Sequence, residues 1–149
     1  EIYTISVHSN SLNRASLPEA NAIMQWCQSH PNEHAGILTP YRNQVKTLRN
    51  VLKHTNHRDE VYTIHRSQGR EWDTVLLSVV DGAQYHFMMD SSIPKAHAQQ
   101  SINTAVSRAR KCLILVCDTE FWLHQPTQFL AALLRVAQPF VPPALSSSS

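Results

Sequence analysis

Residues 39–44, Thr-Pro-Tyr-Arg-Asn-Gln, form the first of three polar blocks that could bind a ligand. This block follows a short apolar run and opens a predicted helix, where backbone N–H groups favour anions. The guanidinium of Arg42 is planar and permanently charged, which suits a phosphate group, and the ring of Tyr41 could stack on a base. A helix start with a solvated arginine is the alternative that stays open for this block.

Residues 64–73, Ile-His-Arg-Ser-Gln-Gly-Arg-Glu-Trp-Asp, form the second block, which lies between two apolar runs. Seven of these ten residues are polar or charged, and one more is a glycine. A polar loop at the edge of a parallel sheet usually binds something, and Gly69 permits a positive φ or the close approach of a ligand. An ordinary polar loop remains the alternative.

Residues 103–110, Asn-Thr-Ala-Val-Ser-Arg-Ala-Arg, form the third block, late in a predicted helix that leads into a strand. Arg108 and Arg110 are two positions apart, so on a helix they project in different directions. Only one of them can readily point into a cleft, and the other caps the helix end or faces solvent. For either arginine alone the solvated role stays open.

The elements that position these blocks follow from the spacing of apolar residues. Ser16 and Glu19 predict a capping box at the start of the first helix. The predicted order is strand 2–7, a helix after Ser16, strand 35–39, helix 41–53, strands 60–65 and 74–80, helix 97–110, strand 113–116 and helix 126–136. This alternation predicts an α/β fold, a mostly parallel sheet with helices on both faces, and ligands bind such sheets at the carboxyl ends of the strands.

Length and composition restrict the class of protein. The 149 residues fit one domain, which we assign to residues 1–138, with a Pro/Ser-rich tail at 139–149 that we expect to be disordered. With 42% apolar and 16% charged residues the chain can form an ordinary soluble core, and its net charge of +2 is too small to indicate nucleic acid by itself. No run of apolar residues predicts a membrane helix.

The cysteines and histidines indicate neither a disulfide framework nor a metal site. The three cysteines form no CxxC pair, which favours a reducing, cytoplasmic location. Four histidines, at positions 30, 34, 54 and 57, have no cysteine or carboxylate at a ligand spacing, so we expect them to be exposed polar residues.

Taken together and in this order, the three blocks resemble motifs IV, V and VI of superfamily 1 helicases. Residues 39–44 resemble motif IV, residues 63–75 motif V and residues 103–110 motif VI, and the resemblance covers about residues 1–118. It is to the C-terminal RecA-like motor domain, in the group of AAA helicases that includes those of nonsense-mediated decay and the UvrD C-terminal-like domains. The resemblance implies a RecA-like (P-loop NTPase-type) three-layer fold.

The resemblance also implies roles for particular residues. In that family two RecA-like domains enclose ATP, and arginines of the second domain reach the γ-phosphate. The resemblance makes Arg108 the arginine finger and Arg42 its companion. The chemistry agrees, since a bidentate, always protonated donor stabilises charge on a transferring phosphoryl group. The other implied residues are Glu71, Gly69, Gln68, Tyr41 and Gln44 on the nucleotide side, and Thr63, His65 and Arg66 against a single strand of DNA or RNA.

The sequence departs from a complete helicase in one respect. It contains no G-x-x-x-x-G-K-[ST] phosphate loop, and glycines occur only at positions 36, 69 and 82. We therefore expect ATP and Mg²⁺ to be held mainly by an N-terminal RecA-like domain absent from this sequence, and the chain alone to be inactive. The alternatives are a non-catalytic remnant or binding module, and a different α/β nucleotide-binding domain whose arginines only decorate the surface.

Overall fold

The fold is built on a six-stranded sheet in which every strand pair is parallel, among the residues that the structure describes. A computed structural model describes residues 2–7, 11–12, 15–80, 102–120, 135 and 137–139. The strands are β1 (Ile2–Ser6), β2 (Ser11–Leu12), β3 (Ala15–Ser16), β4 (Ala35–Thr39), β5 (Val61–Thr63), β6 (Trp72–Ser78), β7 (Ala109–Cys117) and β8 (Gln138–Pro139). The sheet has the order β5-β4-β6-β7-β1-β8, and β2 and β3 form a separate antiparallel pair.

Helices cover both faces of the sheet, because side chains alternate between the two faces along each strand. On one face α1 (Leu17–Ser29) and α2 (Arg42–Val51) pack on a buried cluster that includes Leu76 of β6. On the other face the helical residues 102–107 pack on a cluster that includes Val75 and Leu77. This arrangement confirms the predicted α/β class, with a parallel sheet between helical layers as in RecA-like domains.

The start of α1 uses the predicted N-cap in an extended network. Ser16 caps the helix, since its Oγ accepts the N–H of Glu19 at 3.4 Å. In a capping box the N–H of the N-cap residue donates to the glutamate three positions later. Here the N–H of Ser16 donates to Oε1 of Gln44 at 2.8 Å instead. The fully buried carboxylate of Glu19 accepts bonds from the hydroxyl of Ser78 and the N–H of Val80 instead. These hydrogen bonds of Glu19 therefore join α1 to the carboxyl end of β6.

The third polar block ends its helix earlier than the sequence predicts. Residues 102–107 are helical, Arg108 is a turn residue, and β7 begins at Ala109. Arg110 therefore lies in a strand, which corrects the prediction of a helix to residue 110. The reason is pairing with β6, since the N–H of Trp72 donates to the carbonyl of Arg108 at 2.9 Å.

Three other predictions meet the structure at particular residues. His57 was expected to be exposed, but it is buried, with Nε2 at 2.9 Å from the carbonyl oxygen of Glu33 and its ring against Trp26. Pro139, the first residue of the predicted tail, pairs with β1 as part of β8. The predicted helix 126–136, apart from the helical Arg135, lies outside the described residues, as do residues 140–149 and the predicted loop after β6.

No helix within the described ranges is long and apolar enough to cross a membrane. Nor do the described residues contain a group of three histidines, cysteines or carboxylates that could hold a metal ion.

Candidate functional site

An open cleft of about 480 Å³ runs along β5, the edge strand of the sheet. Its lining contains five of the thirteen lysines and arginines of the chain and no acidic residue. We call it the basic cleft, and it is lined by Arg42, Val45, Lys46, Arg49, Tyr62, Thr63, Arg66 and Arg70. A chain whose net charge is only +2 thus concentrates positive charge at one edge.

Helix α2 forms one wall of the basic cleft. Arg42, Lys46 and Arg49 are spaced four and three positions apart, so they share one exposed face of the helix, while Val45 and Leu48 point to the core. Arg49 also donates from Nη2 to the carbonyl of Val61 at 2.8 Å, which attaches this wall to the edge strand.

The connection from β5 to β6 forms the opposite wall. A hydrogen bond holds the turn that follows β5, since the N–H of Arg66 donates to Oγ1 of Thr63 at 3.2 Å. Farther along, the guanidinium carbon of Arg70 lies 4.6 Å from the centroid of the Tyr62 ring, a cation–π contact. Trp72 packs against the same ring at 5.8 Å between centroids.

Two further features hold this connection in place. The indole N–H of Trp72 donates to Oε2 of Glu60 at 2.9 Å, which attaches the start of β6 to the residue that precedes β5. Gly69 has a φ of 80°, so the positive φ that its sequence position permits is used. His65 and Gln68 are exposed on the connection and are absent from the lining of the basic cleft.

A second polar group lies at the amino ends of β6 and β7. Arg108 is half-buried, and its Nε is a buried atom without a hydrogen-bond partner in the part of the chain that the structure describes. Next to it Nε of Arg110 lies 3.2 Å from Oε2 of Glu71, and Nη1 lies 3.7 Å from Oδ1 of Asp73. Because both Arg110 and Glu71 are 54% exposed, this pair holds the carboxylate of Glu71 at the surface rather than in the core.

The two predicted arginines therefore lie at opposite ends of the sheet. Arg42 follows the carboxyl end of β4, whose Leu38 is level with Leu77, while Arg108 precedes the amino end of β7, where Ala109 is level with Trp72. Strands rise ~3.3 Å per residue, which separates the two levels, five residues apart on β6, by roughly 17 Å. The contact of both guanidinium groups with one γ-phosphate stays a prediction.

Tyr41 and Gln44 are placed in the interior. Tyr41 is 5% exposed and is the N-cap residue of α2, which leaves its ring little surface for a base. The amide of Gln44 is fully buried and bonds to the backbone of Ser16 and to the hydroxyl of Ser78 at 3.0 Å. The structure thus gives the amide of Gln44 a structural role.

Sequence reasoning missed three cations of the basic cleft, Lys46, Arg49 and Arg70. The signal for two of them was available, because positions 42, 46 and 49 share a helix face. Arg70 gave no comparable signal, since its position over Tyr62 depends on the path of the whole connection.

A family model described as an AAA domain matches residues 7–120, which is most of the chain. The chain belongs to this family. Together with relatives that are named as helicases, the match identifies the chain as a C-terminal domain of the superfamily 1 helicase type.

Among the relatives is the probable RNA helicase armi of Drosophila melanogaster, 34% identical over 86 residues, which are 56% of this chain and 7% of that protein. Another is the human DNA replication ATP-dependent helicase/nuclease DNA2, 33% identical over 85 residues, 54% of this chain and 7% of that protein. A third is the DNA-binding protein SMUBP-2 of Mesocricetus auratus, 30% identical over 89 residues, 58% of this chain and 8% of that protein. The helicase-type domain thus spans less than a tenth of each of these three relatives.

Among solved structures, one match is the C-terminal domain of a possible DNA helicase from Lactobacillus plantarum. It has a TM-score of 0.49 at 15% sequence identity, and the match covers 78% of this chain and 72% of that one.

Proposed function

We propose that this chain is the second motor domain of an ATP-dependent nucleic-acid helicase or translocase. ATP and Mg²⁺ are held mainly by an N-terminal RecA-like domain that carries the phosphate loop, and this chain completes the nucleotide site when the two domains close. The names of the relatives support ATP use and nucleic-acid binding and include both an RNA helicase and a DNA helicase. The track is a single strand, which Thr63, His65 and Arg66 contact after β5.

The observation that carries the nucleotide part of the proposal is the Nε of Arg108, which is buried and has no hydrogen-bond partner among the described residues. A buried donor without an acceptor costs ~1–3 kcal/mol, so an acceptor supplied from outside the described residues stabilises it. A γ-phosphate is such an acceptor, and a guanidinium can bind it through two parallel bonds. Glu71 lies at the same end of the sheet, exposed and held by Arg110, as expected for a carboxylate that contacts the nucleotide ribose.

Chemically, this domain contributes charge and no nucleophile. When water attacks the γ-phosphorus, the bond to the bridging oxygen breaks and its electron pair leaves with ADP. Arg108 stabilises the negative charge on the γ-phosphoryl oxygens in that transition state, and Mg²⁺ would supply further charge neutralisation when bound. Closing the domains positions Arg108, and reopening them after hydrolysis shifts the contact of the β5–β6 connection on the strand.

The test is the variant Arg108→Ala in the full-length protein. In well-studied systems an arginine finger contributes ~10³–10⁵ in rate, so we expect single-strand-stimulated ATP hydrolysis to fall at least ~10³-fold. Lys111→Ala is the matched control, since it also removes one positive charge three positions farther along, but from an exposed side chain of β7. Circular dichroism checks that both variants fold.

Two results would overturn the proposal. One is ATP hydrolysis at the wild-type rate by Arg108→Ala, because the proposed arginine finger would then be unnecessary. The other is ATP hydrolysis by the isolated chain, which contradicts its being half of a site. If the full-length protein hydrolyses no ATP but still binds single strands, the non-catalytic binding module is correct.

A further inference from the structure

Four charged side chains form an ion-pair cluster at the amino ends of β6 and β7. Nε of Arg110 lies 3.2 Å from Oε2 of Glu71, and its Nη1 lies 3.7 Å from Oδ1 of Asp73. The other carboxylate oxygen of Asp73 lies 3.8 Å from Nζ of Lys111. Among the described residues, Asp73 therefore has two cations beside it, whereas Glu71 is ion-paired with Arg110 alone.

An irregularity in the pairing of β6 with β7 produces this cluster. Between two level pairs of residues, β6 has the single residue Asp73 where β7 has both Arg110 and Lys111. In a regular strand these two neighbours would point to opposite faces of the sheet. The bulge lets both approach Asp73, and a bulge commonly re-aims a side chain beside a functional site. The direction of Arg110 is thus set by the backbone.

Arg108 lies close enough to this cluster to compete for Glu71. Each of the two residues directly precedes a member of the level pair Trp72 and Ala109, and the N–H of Trp72 donates to the carbonyl oxygen of Arg108 at 2.9 Å. Neighbouring strands are ~4.8 Å apart, and both side chains are long. The carboxylate of Glu71 is therefore within reach of two guanidinium groups, and it is bonded to that of Arg110.

An ion pair between Arg108 and Glu71 would oppose the proposed chemistry. A guanidinium that already holds a carboxylate has to release it before it can bind a γ-phosphate through two parallel bonds. The pair of Arg110 with Glu71 contributes little to folding, because both side chains are 54% exposed. Its consequence is local, since it decides which guanidinium holds Glu71.

We propose that Arg110 is a positioning residue that holds Glu71 away from Arg108 and so leaves the arginine finger available for the γ-phosphate. This inference rests on the proposed function and deepens it. Removing the side chain of Arg110 releases Glu71 to pair with the finger, while Asp73 keeps Lys111 beside it. Arg110 acts through Glu71 and contacts no reacting atom.

The test measures single-strand-stimulated ATP hydrolysis by the full-length protein, with kcat and KM determined for Arg110→Gln, Glu71→Gln and the double variant. Breaking one charge-assisted hydrogen bond of Arg108 in each turnover slows the reaction about tenfold, and we expect kcat of Arg110→Gln to fall by this factor. The double variant has no carboxylate at position 71 to capture Arg108. Its kcat therefore recovers to that of Glu71→Gln, while its KM for ATP stays as high as in that single variant.

Lys111→Gln is the matched control, because it removes one positive charge from the same cluster and leaves Glu71 paired with Arg110. We expect this control to keep the wild-type kcat. A wild-type kcat in Arg110→Gln would overturn the proposal. So would a double variant as slow as Arg110→Gln, which is the result that a purely structural role of Arg110 gives.

The failure of this inference can be told from the failure of the proposed function. If Arg108→Ala abolishes hydrolysis and Glu71→Gln does not rescue Arg110→Gln, only the role of Arg110 is wrong. If Arg108→Ala hydrolyses ATP at the wild-type rate, the arginine finger is wrong and the role of Arg110 is overturned with it.

Discussion

Gly36 in β4 lies directly beneath the ring of Trp72, and this contact gives a quantitative prediction. A Cβ atom built on Gly36 would lie within 3.0 Å of the ring atoms Cδ2, Cε2 and Cε3. The ring cannot easily move away, because it is 2% exposed, donates to Glu60 and packs on Tyr62. The substitution Gly36→Ala must therefore displace either the strand or the end of the β5–β6 connection.

Two opposing effects set the size of the change in the free energy of unfolding. Overpacking a well-filled core costs ~1–3 kcal/mol, and the burial of the ring and its contacts with Glu60 and Tyr62 favour the upper end. Replacing glycine by alanine within a strand returns ~0.5–1 kcal/mol. We expect Gly36→Ala to lower the unfolding free energy by about 2 kcal/mol, which for a domain of this size corresponds to a fall in Tm of roughly 4–8 °C.

The assay is urea unfolding in a double-mutant cycle with Trp72→Leu. In the Trp72→Leu background the ring is absent, so Gly36→Ala becomes neutral or stabilises by about 0.5 kcal/mol. Gly69→Ala is the matched control, since its cost of ~1–2 kcal/mol comes from the positive φ and not from a neighbour. A Gly36→Ala cost that is the same in both backgrounds would refute the reasoning.

Two further predictions concern buried groups. Gln44→Leu leaves the backbone of Ser16 and the hydroxyl of Ser78 without their hydrogen bonds to the amide. At ~1–3 kcal/mol for each buried group, we expect urea unfolding to show a loss of at least ~2 kcal/mol in the free energy of unfolding. An equal loss in Asn50→Leu, which changes an exposed residue of the same helix, would contradict this. Burial raises the pKa of the Cys27 thiol from 9.0 to about 12. As pH rises above 9 the unfolded chain releases this proton before the folded one, so the free energy of unfolding falls. We expect it to fall less in Cys27→Ala than in the wild type between pH 9 and 11. Parallel pH profiles of the two proteins would contradict this explanation.

Much of the fold could be predicted from the sequence because its signals are local. The N-cap at Ser16 and the apolar spacing of α1 and α2 depend on a few neighbouring residues. The continuous apolar run of β6 likewise indicates a strand covered on both faces. The boundary between helix and strand at Arg108 could not be predicted in this way, because it depends on pairing with β6 across a long separation in sequence.

The candidate site shows the same division. The sequence by itself determined which residue types are present: arginines in three polar blocks, a glycine where φ is positive, and no phosphate loop. It also determined the alternation of elements that requires a parallel sheet. These features depend only on residue identity and on spacings of a few positions.

Only the tertiary structure decided which of these residues meet. Parallel strands place the residues that follow them at one end of the sheet and those that precede them at the other, so Arg42 and Arg108 separate although both belong to the resembling motifs. The edge position of β5 brings Arg42 and Lys46 of α2 to face Arg66 and Arg70 of the connection. The physical reason is that strand order and burial are fixed by packing over the whole chain, and no local spacing encodes them.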